Sequence, residues 1–362
     1  MGAFNIRNTD GKARAGILKT AHGNISTPFF MPVATKGSVK LLSNEEVVST
    51  GTQCLISNAF ILSLKPGLEV IGKHGGLHKF MKWKGQLFTD SGGFQVLSDE
   101  FRLKLSGEGV LFRNPFTGKK IMFTPEKAIE IQDKLGSDVA MCLDDVPKAG
   151  DTIQRVGEAV ERTAEWAERC RNSHKNRKQL LFGICQGGTS AELRQKSAAS
   201  ISSLDFDGLA VGGLGIGETK QQMHSALRTS LSEIPDEKPR YLMGVGSIDE
   251  MIEAIAAGID CFDSAFPTRT GRHGRAFTKE GNLNISSAKN RYDMKPLDEG
   301  CGCFVCTTYT RSYVHHLYAT GEENSRKYLS YHNVHFIQNL LGKIREKIAE
   351  NDFKKGEILK EL

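Results

Sequence analysis

Leu180-Leu181-Phe182-Gly183-Ile184-Cys185-Gln186-Gly187-Gly188-Thr189-Ser190-Ala191-Glu192 is the stretch that decides the fold. Its apolar run is continuous as far as Gln186, the pattern of a strand buried on both faces of a parallel sheet. Two glycines end the run. Thr189 and Glu192 then stand at capping-box spacing, which opens a helix. Upstream, residues 151–173 place Ile153, Val156, Val160, Thr163, Ala164, Ala167 and Cys170 on one helical face. Downstream, residues 208–213 repeat the strand pattern.

Outward from this unit the pattern recurs. Strand-like runs lie at 29–34, 53–58, 86–90, 139–144, 180–186, 208–213, 241–246 and 261–266. Helix starts follow them: Ser43 with Glu46, Asp151 with Gln154, Thr219 with Gln222, Ser247 with Glu250, and Thr124 before Pro125. Parallel strands need helical crossovers, so eight such runs predict an α/β fold, a (β/α)8 TIM barrel. An open doubly wound sheet is the rival, weakened by the lack of a G-x-G-x-x-G after the first strand. Residues 98–123 and 267–296 read as insertions forming mobile loops over the rim. The boundaries expected are a catalytic barrel over 1–296 and a smaller C-terminal unit over 297–362.

The 362 residues are 39% hydrophobic and 25% charged, with net charge +6, ordinary for a soluble enzyme and permissive of a polyanionic partner. No run approaches a membrane span, and the N-terminus has no apolar signal core, so a cytoplasmic protein without membrane association is expected. Five cysteines, Cys54, Cys142, Cys170, Cys185 and Cys261, fall in apolar positions and read as buried small hydrophobes. The others, Cys301, Cys303 and Cys306, have the spacing C-x-C-x2-C of thiolate ligands to one tetrahedral ion. His315, His316, His332 and His335 are candidates for the fourth position. Three thiolates and an imidazole leave no open position, which points to structural Zn2+.

Barrel active sites lie at the C-terminal ends of the strands. There the chain carries Ser57 and Asn58, Asp90 and Ser91, Asp144 and Asp145, Gln186, Gly212 and Gly213, Met243 and Gly244, and Asp263. Helix capping explains one rim carboxylate more easily than all of them. After Asp263 comes Ser264-Ala265-Phe266-Pro267-Thr268-Arg269-Thr270-Gly271-Arg272-His273-Gly274-Arg275. A carboxylate able to attack a sugar carbon, followed by arginines able to hold phosphates, points to chemistry on a nucleotide within a polynucleotide.

Taken in order, Phe88-Thr89-Asp90-Ser91-Gly92-Gly93-Phe94-Gln95, Gln186-Gly187-Gly188, Val211-Gly212-Gly213-Leu214, Tyr241-Leu242-Met243-Gly244-Val245-Gly246, Phe266-Pro267-Thr268-Arg269 and the cysteine cluster with His332-Asn333 resemble the tRNA-guanine transglycosylase family over essentially the whole chain. The resemblance implies a barrel with a zinc subdomain, His332 as the fourth ligand, and a homodimer. It implies exchange of the wobble guanine of G-U-N anticodon tRNAs for a 7-deazaguanine base. In that reading Asp263 is the nucleophile toward the ribose and Asp90 the general acid and then base, the two-carboxylate logic of a retaining glycosidase. Asp144, Gln186, the Gly213 N–H and the Leu214 carbonyl would read the base. Phe94 and Met243 would sandwich it, with Ser91 and Asn58 nearby. Thr268, Arg269 and Arg272 would hold the anticodon loop.

Four departures bear on the incoming base. Phe94 replaces the family's tyrosine. Val146-Pro147 stands where bacterial members carry cysteine and eukaryotic members valine. Ile216 replaces a small glycine of the eukaryotic enzymes. Ser57-Asn58-Ala59-Phe60-Ile61-Leu62 replaces Gly-Asn-Thr-Tyr-His-Leu. The bacterial-type base, 7-aminomethyl-7-deazaguanine, is expected. The alternatives are direct queuine insertion, a non-catalytic tRNA-binding partner subunit, which the retention of Asp90 and Asp263 opposes, and a nucleoside hydrolase, which has no use for the basic loop.

Overall fold

The computed structural model describes residues 2–92, 102–114 and 116–362. The chain opens with an antiparallel sheet of β1 (Phe4–Asp10), β2 (Ala13–Thr20) and β3 (Gly23–Thr27). Parallel strands β4 (Phe29–Pro32), β5 (Cys54–Asn58) and β6 (Gln86–Asp90) follow. A second antiparallel sheet of β7 (Arg102–Ser106), β8 (Gly109–Arg113) and β9 (Lys120–Phe123) interrupts them. The parallel series resumes with β10 (Val139–Met141), β11 (Leu180–Cys185), β12 (Gly208–Val211), β13 (Arg240–Leu242) and β14 (Cys261–Ser264). Hydrogen-bonded neighbours run β4-β14-β13-β12-β11-β10-β6-β5. A parallel bridge between Val33 and Ile56, with Ala34 N–H donating to Ile56 O at 2.7 Å, joins the two ends. The eight expected runs are therefore the eight staves of a barrel, and the open sheet is excluded.

Each stave begins within one residue of its apolar run, but several end earlier. Glycine accounts for part of this: Gly213 (φ +66) and Gly244 (φ +76) turn the chain out of extended geometry just where the rim begins. Inside the barrel, Phe88 meets Phe29, Phe182 and Tyr241 edge-on, with ring centroids 6.0, 5.6 and 6.1 Å apart. Leu18 and Ile25 of the N-terminal sheet join this interior cluster. Asp138, just before β10, accepts hydrogen bonds from the backbone N–H groups of His22 and Leu87, both at 2.9 Å, and ties that sheet to the bottom of the barrel. A second, larger apolar cluster lies between sheet and helices.

The expected capping boxes at Ser43 and Thr219 are present, and Thr124 caps the helix Pro125–Leu135. Two caps fall one residue later than expected. Thr152 caps Ile153–Ser173 because the Asp151 carboxylate turns back to accept from Lys148 N–H, and Ser190 caps Ala191–Ser202. Ser247 caps no backbone group, since its hydroxyl donates to the Glu250 carboxylate. Ile153, assigned to the apolar face, is 65% exposed because the first turn projects beyond the packed layer.

The described parts of the two insertions are not loops, and residues 98–101 and 115 lie outside the described residues. Residues 102–123 form the β7–β9 sheet, whose Val110, Phe112 and Phe123 are buried. Residues 267–296 continue the helix Phe266–Arg272 into the hairpin β15 (Arg275–Thr278) and β16 (Gly281–Asn284). The C-terminal helix Glu323–Ala349 holds this second segment down. Asn333 accepts from Phe277 N–H at 2.8 Å and donates to Pro267 O and Arg275 O, both at 3.0 Å. Farther along that helix, Gln338 and Arg345 donate to Phe30 O and Pro28 O at the start of β4. No helix among the described residues is long and apolar enough to cross a membrane.

Candidate active site

The rim encloses a cavity of about 420 Å³ whose walls include Asn58, Asp90, Asp144, Gly213, Met243 and Asp263. Residues from six staves or the turns after them thus meet at one mouth. Arg269, on the helix that starts two residues after β14, also lines it.

Asp263 is held through one of its two oxygens. Tyr241 Oη donates to its Oδ1 at 2.6 Å, and Gly244 N–H donates to the same oxygen at 2.8 Å. Oδ2 has no hydrogen-bond partner among the described residues. Burial raises the Asp263 pKa, and the two hydrogen bonds oppose that rise. Tyr241 went unassigned in the sequence reading although it lies in a quoted motif. The signal was its spacing: residues two apart on a strand share a face, so Met243 and Tyr241 both point inward.

Asp90 ends β6 and pairs in register with Asn58 of β5. Asn58 Oδ1 accepts from Ile61 N–H at 2.8 Å and caps the short helix Ala59–Leu62. Burial, with the Asp263 charge adding to it, pushes Asp90 up to about 6, while the Gly92 N–H works in the other direction. Gly92 (φ +89) is obligatory, because a Cβ there would stand 2.4 Å from the Phe60 Cβ. Ser91 is buried behind Asp90. Phe94 lies outside the described residues.

Asp144 and Asp145 are adjacent yet differently placed. Asp145 is taken up by Arg155, at 2.9 and 2.6 Å, and by Arg162, both on the helix Ile153–Ser173. Asp144 faces the cavity and accepts from Gln186 Nε2 at 2.6 Å. Burial first, then the charge on Asp90, pushes Asp144 up to about 7. Gln186 is fully buried behind the cavity wall, and its Oε1 has no partner among the described residues. The bare backbone of Gly212 and Gly213 lies against its amide: a Cβ on Gly213 would be 2.4 Å from that oxygen. Of the two hydrogens on Nε2, one is used by Asp144.

Leu214 lines the cavity at the start of a turn clamped by Glu218, whose carboxylate accepts from Gly215 N–H at 2.5 Å and Ile216 N–H at 3.1 Å. Glu218 was missed because it lies beyond the strand ends that were read. Among the residues expected to hold RNA, only Arg269 reaches the cavity. Arg272 donates to Thr268 Oγ1 at 3.1 Å, and Thr268 is buried with its hydroxyl on Ala265 O. Thr268 thus holds its own helix turn together and ties down the Arg272 side chain.

In the C-terminal unit Cys301, Cys303 and Cys306 place their Sγ atoms 3.8, 3.5 and 3.4 Å from His332 Nδ1. The ligand edges of a tetrahedral zinc site are about 3.6 Å, from bonds of about 2.3 Å to sulfur and 2.0 Å to nitrogen. His332 Nε2 sits 2.7 Å from Phe277 O, which fixes the ring and leaves Nδ1 as the acceptor toward the three sulfurs. Of the four histidines left open by spacing, only His332 joins the cysteine group. His315 turns to Ile285 O instead.

A family model described as queuine tRNA-ribosyltransferase matches residues 9–357. A queuine tRNA-ribosyltransferase of Thermotoga neapolitana is 45% identical over 358 residues, covering 98% of this chain and 97% of the relative. Proteins of the same name from Thermotoga maritima and Fusobacterium nucleatum subsp. nucleatum are each 44% identical, covering 97% of this chain and 95% of the relative. The barrel, the carboxylates gathered at its rim and the Cys3His cluster thus come with similarity along nearly the whole length, and the chain belongs to the queuine tRNA-ribosyltransferase family.

Proposed function

We propose that this chain exchanges the wobble guanine of G-U-N anticodon tRNAs for 7-aminomethyl-7-deazaguanine, through a covalent ribosyl–Asp263 intermediate. Family membership makes it a pentosyltransferase of the tRNA-guanine transglycosylase type. The observation that carries the finer reading is the pair of rim carboxylates with unlike environments. Asp263 has one oxygen clamped and the other uncommitted, while Asp90 is held near 6.

In this mechanism Asp263 Oδ2 attacks C1′ of the ribose as the guanine leaves, and Asp90 gives its proton to the departing base. The incoming base then loses a proton to Asp90 and displaces Asp263 at C1′. Asp144, held by Gln186 from behind the cavity wall, faces the Watson–Crick edge of the heterocycle, and Met243 lies against its ring. Carboxylates pushed to about 6 and about 7 take up a proton far more readily than ordinary aspartates, which lowers the cost of closing the site around a base. Arg269 at the cavity mouth meets the flanking phosphates.

Val146 and Ile216 both line the cavity: the valine is the residue of the queuine-inserting eukaryotic members, whereas the Ile216 side chain limits the room for a large substituent and favours the aminomethyl base. A competition assay decides between them. With enzyme, a G-U-N transcript bearing labelled guanine and both free bases, 7-aminomethyl-7-deazaguanine displaces the label first. Preferential displacement by queuine would reverse the assignment, and no displacement would overturn the exchange reading.

Tyr241→Phe removes the hydroxyl donor to Asp263. One hydrogen bond to a charged group is worth about 1.5–3 kcal/mol, so kcat falls roughly ten- to a hundredfold with KM little changed. The acidic limb of the kcat/KM profile moves to higher pH, because Asp263 loses a partner that lowers its pKa. An unchanged limb would remove Tyr241 from this role.

The cysteine cluster holds zinc in this reading, and zinc supplies no chemistry to the exchange. It staples the turn at 301–306 to His332 on the long helix. Cys303→Ala leaves a neutral three-ligand remnant that loses the metal, lowers the melting temperature by about 10 °C or more, and opens the C-terminal helices to protease. Equal metal content in the variant and the parent protein would refute the assignment. Two copies of the chain associate, with exposed Tyr292 and Met294 just before the C-terminal unit and Phe304 and Tyr313 within it supplying apolar surface.

A further inference from the structure

The β7–β9 sheet carries charge that the cavity does not use. Residues 102–123 include five basic side chains and one acidic one, Glu108. Strand register separates the two faces of the sheet. Val110, Phe112 and Phe123 form the inner face, and Phe112 and Phe123 meet Phe60 edge-on, with ring centroids 4.5 and 5.1 Å apart. Phe60 belongs to the short helix capped by Asn58, so this face fixes the sheet beside the rim. On the outer face Lys104 stands opposite Leu111, Leu111 opposite Met122, and Arg113 opposite Lys120.

Lys104, Arg113, Lys120 and the adjacent Lys119 are exposed, and none is ion-paired with a described residue. The helices beside the sheet behave differently. Lys127 and Lys134 share Glu130, Arg155 and Arg162 share Asp145, and Arg169 holds Glu126. Arg113 and Lys120 directly across a ladder repel one another, a cost the sheet bears without a compensating acid on that face among the described residues. Glu108 offers no relief: it lies in the β7–β8 turn, where its charge acts on Arg169 of the neighbouring helix. An uncompensated row of cations flanking two apolar side chains is complementary to a phosphodiester backbone, which exchanges condensed counterions for such groups.

We propose that the outer face of β7–β9 docks the phosphodiester backbone of the substrate tRNA outside the anticodon loop. The sheet is anchored at the β5–β6 side of the barrel and on the helix Ile153–Ser173, where Trp166 Nε1 donates to Gly107 O at 2.8 Å. Arg269 grips from the β14 side, with β4 and β5 intervening in the barrel order before β6 is reached. The two basic elements therefore approach the RNA from different walls, the arginine helix at the loop and the sheet on the body. This inference rests on the tRNA exchange reading.

The test reverses charge on the outer face with the triple variant Lys104→Glu, Arg113→Glu, Lys120→Glu. Binding of a full-length G-U-N tRNA is followed by fluorescence anisotropy across a salt series, and exchange of labelled guanine is measured on the same preparations. The variant binds tRNA roughly tenfold or more weakly, the slope of log Kd against log salt falls by about two to three, and kcat at saturating tRNA is unchanged. The neutral variant with glutamine at the three positions shows the same changes at smaller size, which separates lost contact from misfolding. Equal Kd and equal salt slope in the parent and both variants, with exchange intact, would overturn the docking surface and spare the exchange reading. Weakened tRNA binding by the variants beside a parent protein that exchanges no guanine would overturn the exchange reading and leave the docking surface standing.

Discussion

Asp263→Asn abolishes base exchange, with kcat down by roughly 10⁴-fold or more, because an amide oxygen is a poor nucleophile toward an acetal carbon. The substitution is nearly isosteric. Tyr241 Oη and Gly244 N–H still find an oxygen acceptor at the position of Oδ1, so the rim keeps its shape. Affinity for tRNA accordingly stays within a few fold of the parent, and so does the melting temperature. Labelled-guanine exchange together with tRNA binding checks both halves of this expectation. Loss of exchange accompanied by loss of binding would mean that Asp263 shapes the site rather than reacting in it, and retained exchange would place the nucleophile elsewhere.

Asp90→Asn separates chemistry from stability in opposite directions. Without a proton donor for the leaving base, the rate falls by about 10²–10⁴-fold, the usual worth of general acid catalysis. In the parent protein guanine release slows as pH rises past about 6, since that is where Asp90 loses its proton. The same displaced pKa predicts a stability change. The folded state holds Asp90 at about 6 against an ordinary value of 3.8, so the protonated form is the one the fold favours. Its contribution is fully present below the unfolded value and is lost as pH rises through about 6. Asparagine mimics the protonated form permanently. Asp90→Asn therefore raises the melting temperature at about pH 8, by a free energy on the order of 3 kcal/mol, and leaves it unchanged near pH 3. Thermal melts at the two pH values check this. A variant less stable than the parent at the higher pH would show that Asp90 is held ionised.

The barrel was readable because its staves are buried on both faces and appear as unbroken apolar runs. The β7–β9 sheet was not, because its two faces see different surroundings. Leu103, Lys104 and Leu105 look like a broken pattern until strand pairing shows which of them points inward. The glycines and arginines of the segment after Asp263 have the local pattern of a loop. What orders it is the long-range grip of Asn333, which no local pattern reveals. At the site, the carboxylates were found from their positions at strand ends. The difference in role between Asp144 and Asp145 came only from the helix that brings Arg155 and Arg162 to one of them. Tyr241 and Glu218 act through hydrogen bonds to neighbours on other turns or strands, so their parts required three dimensions.

The central claim is that a bond forms between Asp263 and the target ribose. The most direct measurement incubates the parent enzyme with a G-U-N anticodon stem-loop in the absence of free base, quenches with denaturant, digests RNA and protein, and locates the residual nucleotide by peptide mass spectrometry. A ribose-linked adduct is expected on the peptide containing Asp263, present in Asp90→Asn at lower yield and absent in Asp263→Asn. An adduct on Asp90, or one that persists in Asp263→Asn, would contradict it.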